Sequence, residues 1–310
     1  MIQIGVDFGG TKVEAAALDA SGKVLAKARV PNPGDYDKAL GVVRDLVGEL
    51  EQKLGARGTL GIGAPGSISP ATGVMRNANS LYLNGRRFRE DLSQALNRPV
   101  RLANDANCLA LSEAVDGAGA GARVVFAIIL GTGCGGGMVV DGKLIEGENG
   151  IAGEWGHMPL PWPTAEEREG PRCWCGQNGC LEMWVSGTGL RRDFQEATTK
   201  AWSGEEIIAA WRAGDAAATA AFDRLMDRLG RSVAVLCNIL DPDAIVVGGG
   251  LSNVPEVCQR LPGLVAGRVF ADRWSTRIKP AVWGDASGVR GAARLWSLEE
   301  ARQLLSEQVA

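Results

Sequence analysis

Apolar and polar residues alternate at the start of the chain as a half-buried strand requires, with Ile2, Ile4 and Val6 on one face. The chain then passes through Asp7-Phe8-Gly9-Gly10-Thr11-Lys12 into a second apolar stretch ending at Leu18. An Asp19-Ala20-Ser21-Gly22 turn and a third stretch, Val24 to Val30, follow. This pattern predicts a three-strand meander. From Asp35 to Leu54 the period lengthens to that of a helix, with Leu40, Val43, Leu46, Val47 and Leu50 on one face. Another buried strand ends in Gly63-Ala64-Pro65-Gly66. Strands and helices alternate, which makes the class α/β.

Near Arg123 the pattern restarts. A strand from Val124 to Leu130 enters Gly131-Thr132-Gly133-Cys134-Gly135-Gly136-Gly137, and a second strand, Met138 to Val140, reaches an Asp141-Gly142 hairpin turn. The echo of the N-terminus reads as a weak internal repeat and as the start of a second domain. Residues 159–172 form a Pro-rich, charged loop without periodicity. Phe222, Leu225, Met226, Leu229, Val233, Leu236 and Leu240 recur at three and four, predicting a long helix from Asp215 that stops at Asp241-Pro242. A strand, Ala244 to Val247, then enters Gly248-Gly249-Gly250. The Ser287 to Trp296 helix is expected to return to the first domain. The domains predicted are a small α/β lobe of residues 1–118 plus 288–310 and a large α/β lobe of residues 119–287.

Composition narrows the function. A length of 310 residues suits two domains. With 33 Lys and Arg against 36 Asp and Glu, and no run of five like charges, the chain lacks the basic stripe of a nucleic-acid binder. Its longest wholly apolar run, Val124 to Leu130, is far below the ~20 residues of a membrane span. A strand pattern beginning at Ile2, followed at once by Asp7, does not read as a secretory leader, so the expected location is cytoplasmic. Seven Cys is an odd number, and in a reducing compartment closely spaced Cys read first as metal ligands.

Glycine is in excess, 43 residues, and much of the excess falls in three turns after strands: Gly9-Gly10-Thr11, Gly131 to Gly137, and Gly248 to Gly250. Such turns bring backbone N–H groups close to a phosphate, and Thr hydroxyls add donors, so a nucleotide is the natural ligand. The P-loop string is absent. Gly131-x-Gly133-x-x-Gly136 matches the dinucleotide fingerprint, but a strand rather than a helix follows it, which excludes that reading. Each turn taken singly also reads as a plain hairpin. Asp7 is the candidate ligand of the Mg²⁺ that accompanies phosphates, or else a turn-starting Asp.

The chain has a single His, in Gly153-Glu154-Trp155-Gly156-His157, and this is followed by Cys173-Trp174-Cys175-Gly176-Gln177-Asn178-Gly179-Cys180-Leu181-Glu182. His157, Cys173, Cys175 and Cys180 make a complete tetrahedral Zn²⁺ set, closed and therefore structural; the alternative is that the Cys are small buried hydrophobes and His157 a satisfied loop residue. Cys108, Cys134, Cys237 and Cys258 are scattered and read as inert. A metal-bound His offers its other ring nitrogen to a partner, for which a substrate hydroxyl is a candidate; Glu154 and Glu182 could then accept from further hydroxyls, although taken alone each reads first as a solvated loop acid. With His157 on zinc, a proton leaving a hydroxyl nucleophile must go to a carboxylate. Asp105, in Leu102-Ala103-Asn104-Asp105, is the candidate base; the plainer reading is that Asn104 or Asp105 caps the helix Ala106 to Val115.

These strings, in this order and over essentially the whole chain, resemble the ROK family of sugar kinases and repressors. The resemblance implies a two-lobed, actin-like (ribonuclease H-like) ATPase fold with ATP and Mg²⁺ in a cleft and a sugar beside them. It implies phosphate contacts at Gly5, Asp7, Gly9, Gly10, Thr11, Lys12, Gly131, Thr132, Gly133, Cys134 and Gly135, and adenosine contacts at Gly248, Gly249 and Gly250. Asn79, Asn104, Asp105, Glu154, His157 and Glu182 would hold the sugar, with Asp105 also the base. Gly66 to Gly73, Asn77 to Gly85 and Gly153 to Trp162 are similar to the bacterial fructokinase or mannofructokinase branch.

The expectation is therefore ATP-dependent conversion of D-fructose to fructose 6-phosphate, with mannose as a second substrate and closure of the lobes excluding water. N-acetylglucosamine or glucose is the alternative substrate. A sugar-responsive regulator is the alternative of another class; the phosphate motif at residue 7 leaves no room before it for a DNA-binding helix-turn-helix. A zinc-knuckle nucleic-acid module is disfavoured by the charge balance. The expected partners are a hexose and, for the chain itself, a monomer or homodimer, with neither nucleic acid nor membrane.

Overall fold

The N-terminal apolar stretches form β1 (Gln3–Phe8), β2 (Lys12–Leu18) and β3 (Val24–Pro31) in the computed structural model, which describes residues 1–307. With β4 (Thr59–Gly63) and β5 (Val100–Ala103) they make a sheet of order β3-β2-β1-β4-β5. β1 is antiparallel to β2 and parallel to β4, and β4 is parallel to β5. The helix Tyr36–Leu54 begins where Asp35 accepts the Lys38 N–H at 3.0 Å and ends at Gly55 in the left-handed region. It buries Val43, Leu46, Val47 and Leu50 against Ile4, Val6 and Phe8 in one apolar cluster.

The helix Ser287–Arg294 lies against β1 and β4. A Cβ on Gly5 would stand 1.9 Å from the Val289 carbonyl oxygen, and one on Gly61 would stand 1.9 Å from that of Ala292. Backbone therefore lies directly on backbone at both positions. Gly5, expected among the phosphate contacts, is instead a packing glycine under this helix. The helix ends at Arg294, two residues short of the expected Trp296, whose indole donates to the Leu60 carbonyl at 2.8 Å.

The second unit repeats the arrangement. β6 (Val124–Leu130), β7 (Cys134–Val140), β8 (Ala244–Gly248) and β9 (Arg277–Pro280) lie in the order β7-β6-β8-β9. β6 is antiparallel to β7 and parallel to β8, and β8 is parallel to β9, the senses of β2-β1-β4-β5. The long helix Ala216–Leu240 is capped by Asp215, which accepts the Ala218 N–H at 2.8 Å, and its apolar stripe enters the core of this unit.

A polar part of the same helix fixes the loop that showed no periodicity. Buried Arg231 donates to the carbonyls of Pro161 and Trp162 at 2.9 and 2.8 Å, and it pairs with buried Glu167, which Arg228 also holds at 2.7 Å. Burial opposes the charge on Glu167, but its hydrogen bonds from Arg228, Thr164 and Arg231 hold the carboxyl below the usual range.

The compact units comprise, among the described residues, 1–120, 142–152 and 283–307, and residues 121–141 and 153–282. Segment 142–152 and residues 283–287 thus lie in the first unit, whereas the expected boundaries put them in the large lobe. Arg76 donates to the Asn149 carbonyl at 2.5 Å, and the Trp283 N–H donates to Glu113 at 3.0 Å; both are contacts that sequence periodicity does not carry. Among the described residues, no helix is long and apolar enough to cross a membrane.

Candidate functional site

In the first unit β1 and β5 both run parallel to β4, so their C-terminal ends share one edge of the sheet, where open α/β sheets place ligands. Asp7 stands near the end of β1, and Asp105 opens the helix Asp105–Asp116 just after β5. Asn104 is the N-cap: its side chain accepts the Asn107 N–H at 2.7 Å. The Asp105 carboxylate is therefore not the cap, and it accepts a local hydrogen bond from the Ala106 N–H at 2.8 Å.

Asp7 is pushed up to about 6, first by burial and next by the charge of Asp105; Lys12 opposes the shift and is itself drawn to Glu14 at 3.5 Å. Gly288 makes the crowding feasible, since a Cβ there would stand 2.9 Å from an Asp7 carboxylate oxygen. Asp105 is accessible at its own surface, yet protein surrounds it densely over a wider radius. That crowding raises its carboxyl, against hydrogen bonds from Ala106 and its own N–H. Two neighbouring carboxylates, the charge of Asp105 raising Asp7, are a donor set suited to a hard divalent cation.

Beside them a cavity of ≈ 230 Å³ is lined by Ser67, Ile68, Leu102, Asn104, Asn107 and Glu146 among others. Asn107 was not anticipated; it is buried, and its Oδ1 has no hydrogen-bond partner. Asn79 lies in an exposed bend outside this lining. The turn Gly9-Gly10-Thr11 closes the β1–β2 hairpin, with the Gly9 N–H donated to the Lys12 carbonyl at 3.0 Å and Gly10 exposed.

The second unit assembles the Cys/His cluster. His157 ends a 3₁₀ turn, Trp155–His157, while Cys173, Cys175 and Cys180 sit on a tight reversal with Gly176 and Gly179 at positive φ. Isolated bridges Pro159↔Cys180 and Arg172↔Asn178 hold the reversal in place. The Cys173 Sγ is 3.7 Å from His157 Nδ1, the Cys175 and Cys180 Sγ atoms are 3.6 Å apart, and all four donor atoms lie within 4.8 Å of one another. Ligands on a tetrahedral zinc at ~2.0–2.3 Å stand roughly 3.5–3.8 Å apart, so the donor set and its spacing fit Zn²⁺. His157 turns Nδ1 to the cluster, which leaves Nε2 for another partner.

Glu182 follows directly. Its Oε2 accepts the Cys134 N–H at 3.0 Å and its Oε1 accepts the Trp174 indole N–H at 2.7 Å. A Cβ on Gly133 would stand 2.5 Å from Oε2. Gly133 thus makes room for Glu182, and the Cys134 N–H is engaged by a carboxylate rather than turned to a phosphate. Glu154 is exposed, at the residue that starts the His157 turn.

A larger cavity of ≈ 650 Å³ opens at Gly131 and Thr132 and is also lined by Thr188, Ile208, Arg212 and Gly250. Ser186 caps the helix Gly187–Thr198, and the Gly187 N–H donates to the Gly131 carbonyl at 2.7 Å, so a helix N-terminus borders the cavity. Gly133, Cys134, Gly135, Gly248 and Gly249 are absent from the lining. Gly249, at φ 80°, packs on the Leu130 carbonyl, where a Cβ would come within 2.7 Å. The Ser186-Gly187-Thr188-Gly189 string carries a Gly/Thr signal like that of the other turns and is the readable mark of this wall.

One strand order used twice, with a Gly/Thr turn opening on a large cavity and a metal-type knuckle, defines a two-unit α/β protein of a known kind. The chain belongs to the ROK family, whose model matches residues 3–299. It is 41% identical over 296 residues to the N-acetyl-D-glucosamine kinase of Pectobacterium atrosepticum, covering 94% of this chain and 97% of that one. It is 43% identical over 299 residues to the N-acetylgalactosamine kinase AgaK of Shewanella sp. (strain ANA-3), covering 94% and 95%. A ROK family glucokinase from Streptomyces griseus, solved with glucose and AMPPNP, superposes with a TM-score of 0.77 at 30% identity over 98% of this chain and 100% of that one.

These relatives overturn the fructokinase or mannofructokinase assignment. Part of the loop match that suggested it follows from backbone geometry: Gly66, Gly73, Asn77 and Gly85 all take positive φ, between 57° and 79°. A Cβ at Gly66 would stand 2.4 Å from the Arg76 carbonyl. Such positions record how the loop turns rather than which sugar lies beside it.

Proposed function

We propose that this protein is an ATP-dependent N-acetylhexosamine kinase that phosphorylates the 6-hydroxyl of N-acetylglucosamine. The observation that carries the reading is identity of 41–43% over 94% of the chain to kinases of N-acetylglucosamine and N-acetylgalactosamine. The AMPPNP-bound glucokinase supports ATP as the phosphoryl donor and makes glucose the second substrate to test.

Asp105 takes the proton of the 6-hydroxyl as its oxygen attacks the γ-phosphoryl group. Asn104, Glu154, His157 Nε2 and Glu182 orient the sugar through its hydroxyls, with Asn79 a further contact. The cavity at Gly131, Thr132 and Gly250 holds the nucleotide, with N–H and hydroxyl donors toward the phosphates. Asp7 would hold Mg²⁺, which when bound offsets phosphate charge. Zinc on His157, Cys173, Cys175 and Cys180 would supply structure alone.

ADP release across a panel of N-acetylglucosamine, N-acetylgalactosamine, N-acetylmannosamine, glucose, mannose and fructose tests the assignment. The highest kcat/KM is expected with N-acetylglucosamine; turnover confined to unsubstituted hexoses would refute it. A pH dependence follows from Asp7. Its carboxyl is raised to about 6, so it carries charge only above that pH and loses its hold on a cation as the pH falls through it. The Mg²⁺ concentration for half-maximal activity is expected to rise on acidification through this range, and a pH-independent Mg²⁺ requirement would remove Asp7 from the role.

A further inference from the structure

We propose that Trp174 is a positioning residue for the sugar: its indole N–H holds the Glu182 carboxylate, and the Cys/His knuckle holds Trp174. The inference rests on the proposed role of Glu182 as a sugar ligand. Trp174 is the residue between two of the metal-type cysteines, Cys173 and Cys175, so its backbone goes where the knuckle goes. Its Nε1 donates to Glu182 Oε1 at 2.7 Å, and its ring stands edge-on to His157 with centroids 5.0 Å apart at 84°. Burial does not account for this placement, since Trp174 is 64% exposed.

The other carboxylate oxygen is held from the opposite direction. Cys134, the first residue of β7, donates its N–H to Oε2 at 3.0 Å. Glu182 is thus clamped at one oxygen by the sheet and at the other by the knuckle, and the clamp sets the plane of its carboxylate. Each oxygen keeps a second lone pair, so both remain able to accept from sugar hydroxyls. A hydrogen bond to an ionised carboxylate is among the stronger ones, and losing it frees the group to rotate away from the geometry that two hydroxyls require. The knuckle therefore contributes to sugar recognition at Glu182 as well as through His157.

The test compares wild type, Trp174→Phe, Glu182→Ala and the double variant. Phe keeps an aromatic ring beside His157 and has no N–H. Calorimetric titration with N-acetylglucosamine is expected to show about tenfold weaker binding to Trp174→Phe, with bound zinc equal to wild type. In kinetics the loss is expected in the KM for the sugar, with kcat and the KM for ATP unchanged. In kcat/KM the double variant is expected to be no worse than Glu182→Ala, because Trp174 acts only through that carboxylate.

Wild-type affinity in Trp174→Phe would overturn the proposal. So would a double variant whose loss is the product of the single losses, which would mark an independent contact, or loss of zinc from Trp174→Phe, which would mark a purely structural part of the knuckle. A wild-type protein that binds neither N-acetylhexosamines nor glucose would instead overturn the kinase reading, and this proposal with it.

Discussion

Replacing Asp105 by Asn is expected to lower turnover by roughly 10²–10⁴-fold, the usual contribution of a positioned general base, while hexose binding persists. The side chains are nearly isosteric, and the helix that Asp105 opens keeps its cap because Asn104, not Asp105, accepts the Asn107 N–H. Chemistry and fold are thereby separated at adjacent residues. Crowding leaves the Asp105 carboxyl raised in spite of its hydrogen bonds, which makes it a better proton acceptor than an ordinary surface Asp. The neighbouring Asp7 contributes a second effect: with one charge gone its own carboxyl should titrate lower, because the Asp105 charge is among the causes that raise it. Steady-state ADP release measures the loss of turnover, and calorimetric sugar titration measures the retained binding. Turnover of the variant near that of wild type would exclude Asp105 as the base.

The second large effect is expected from the knuckle. Wild-type protein purified without chelators should carry about one zinc per chain, and Cys180→Ser should carry essentially none. Cys180 is buried and lies on the bridge to Pro159, two residues from His157, so its loss releases both strands of the reversal at once. His157 and Glu182, at the two ends of this segment, should lose their fixed geometry together. Sugar affinity is accordingly expected to fall by more than about tenfold, the equivalent of ~1.4 kcal/mol. Elemental analysis and sugar titration of the two proteins check this. Zinc-free wild-type protein with full activity would show that the four donors are held by packing alone.

The two expectations rest on residues that differed in how easily they could be read. The knuckle was legible because its spacing is local: three Cys within eight residues among glycines have few uses besides a metal, and the single His stood nearby in sequence. Asp105 was legible as one of two alternatives, a cap or a base, and the structure gives the cap to Asn104. Asn107 was hidden because a polar residue in the first turn of a helix carries no local sign of lying against a cavity. Segment 142–152 groups with the first unit through a contact that periodicity does not record, since Arg76, its partner, is over seventy residues away in the chain.

Glycine shows the difference most clearly. In the chain, Gly5, Gly131, Gly133 and Gly249 belong to similar strand-and-turn strings and invite one common reading as ligand contacts. In the structure, Gly5 lies under the carbonyl of Val289, Gly133 makes room for Glu182, Gly249 packs on Leu130, and Gly131 opens on the large cavity. The absence of a Cβ is a local fact, but its use depends on what stands opposite.

The sequence by itself determined the α/β class, the helix with its face of Leu and Val, the repeated strand–turn–strand pattern and the metal-type knuckle. All of these follow from interactions between residues near in the chain, where period, capping and spacing act directly. Tertiary structure decided which glycines pack and which border a cavity, that the repeat extends to strand order and sense, and that Glu182 is held between β7 and Trp174. Each of these depends on groups brought together across tens to hundreds of residues, and no local pattern records the partner that the folded chain supplies.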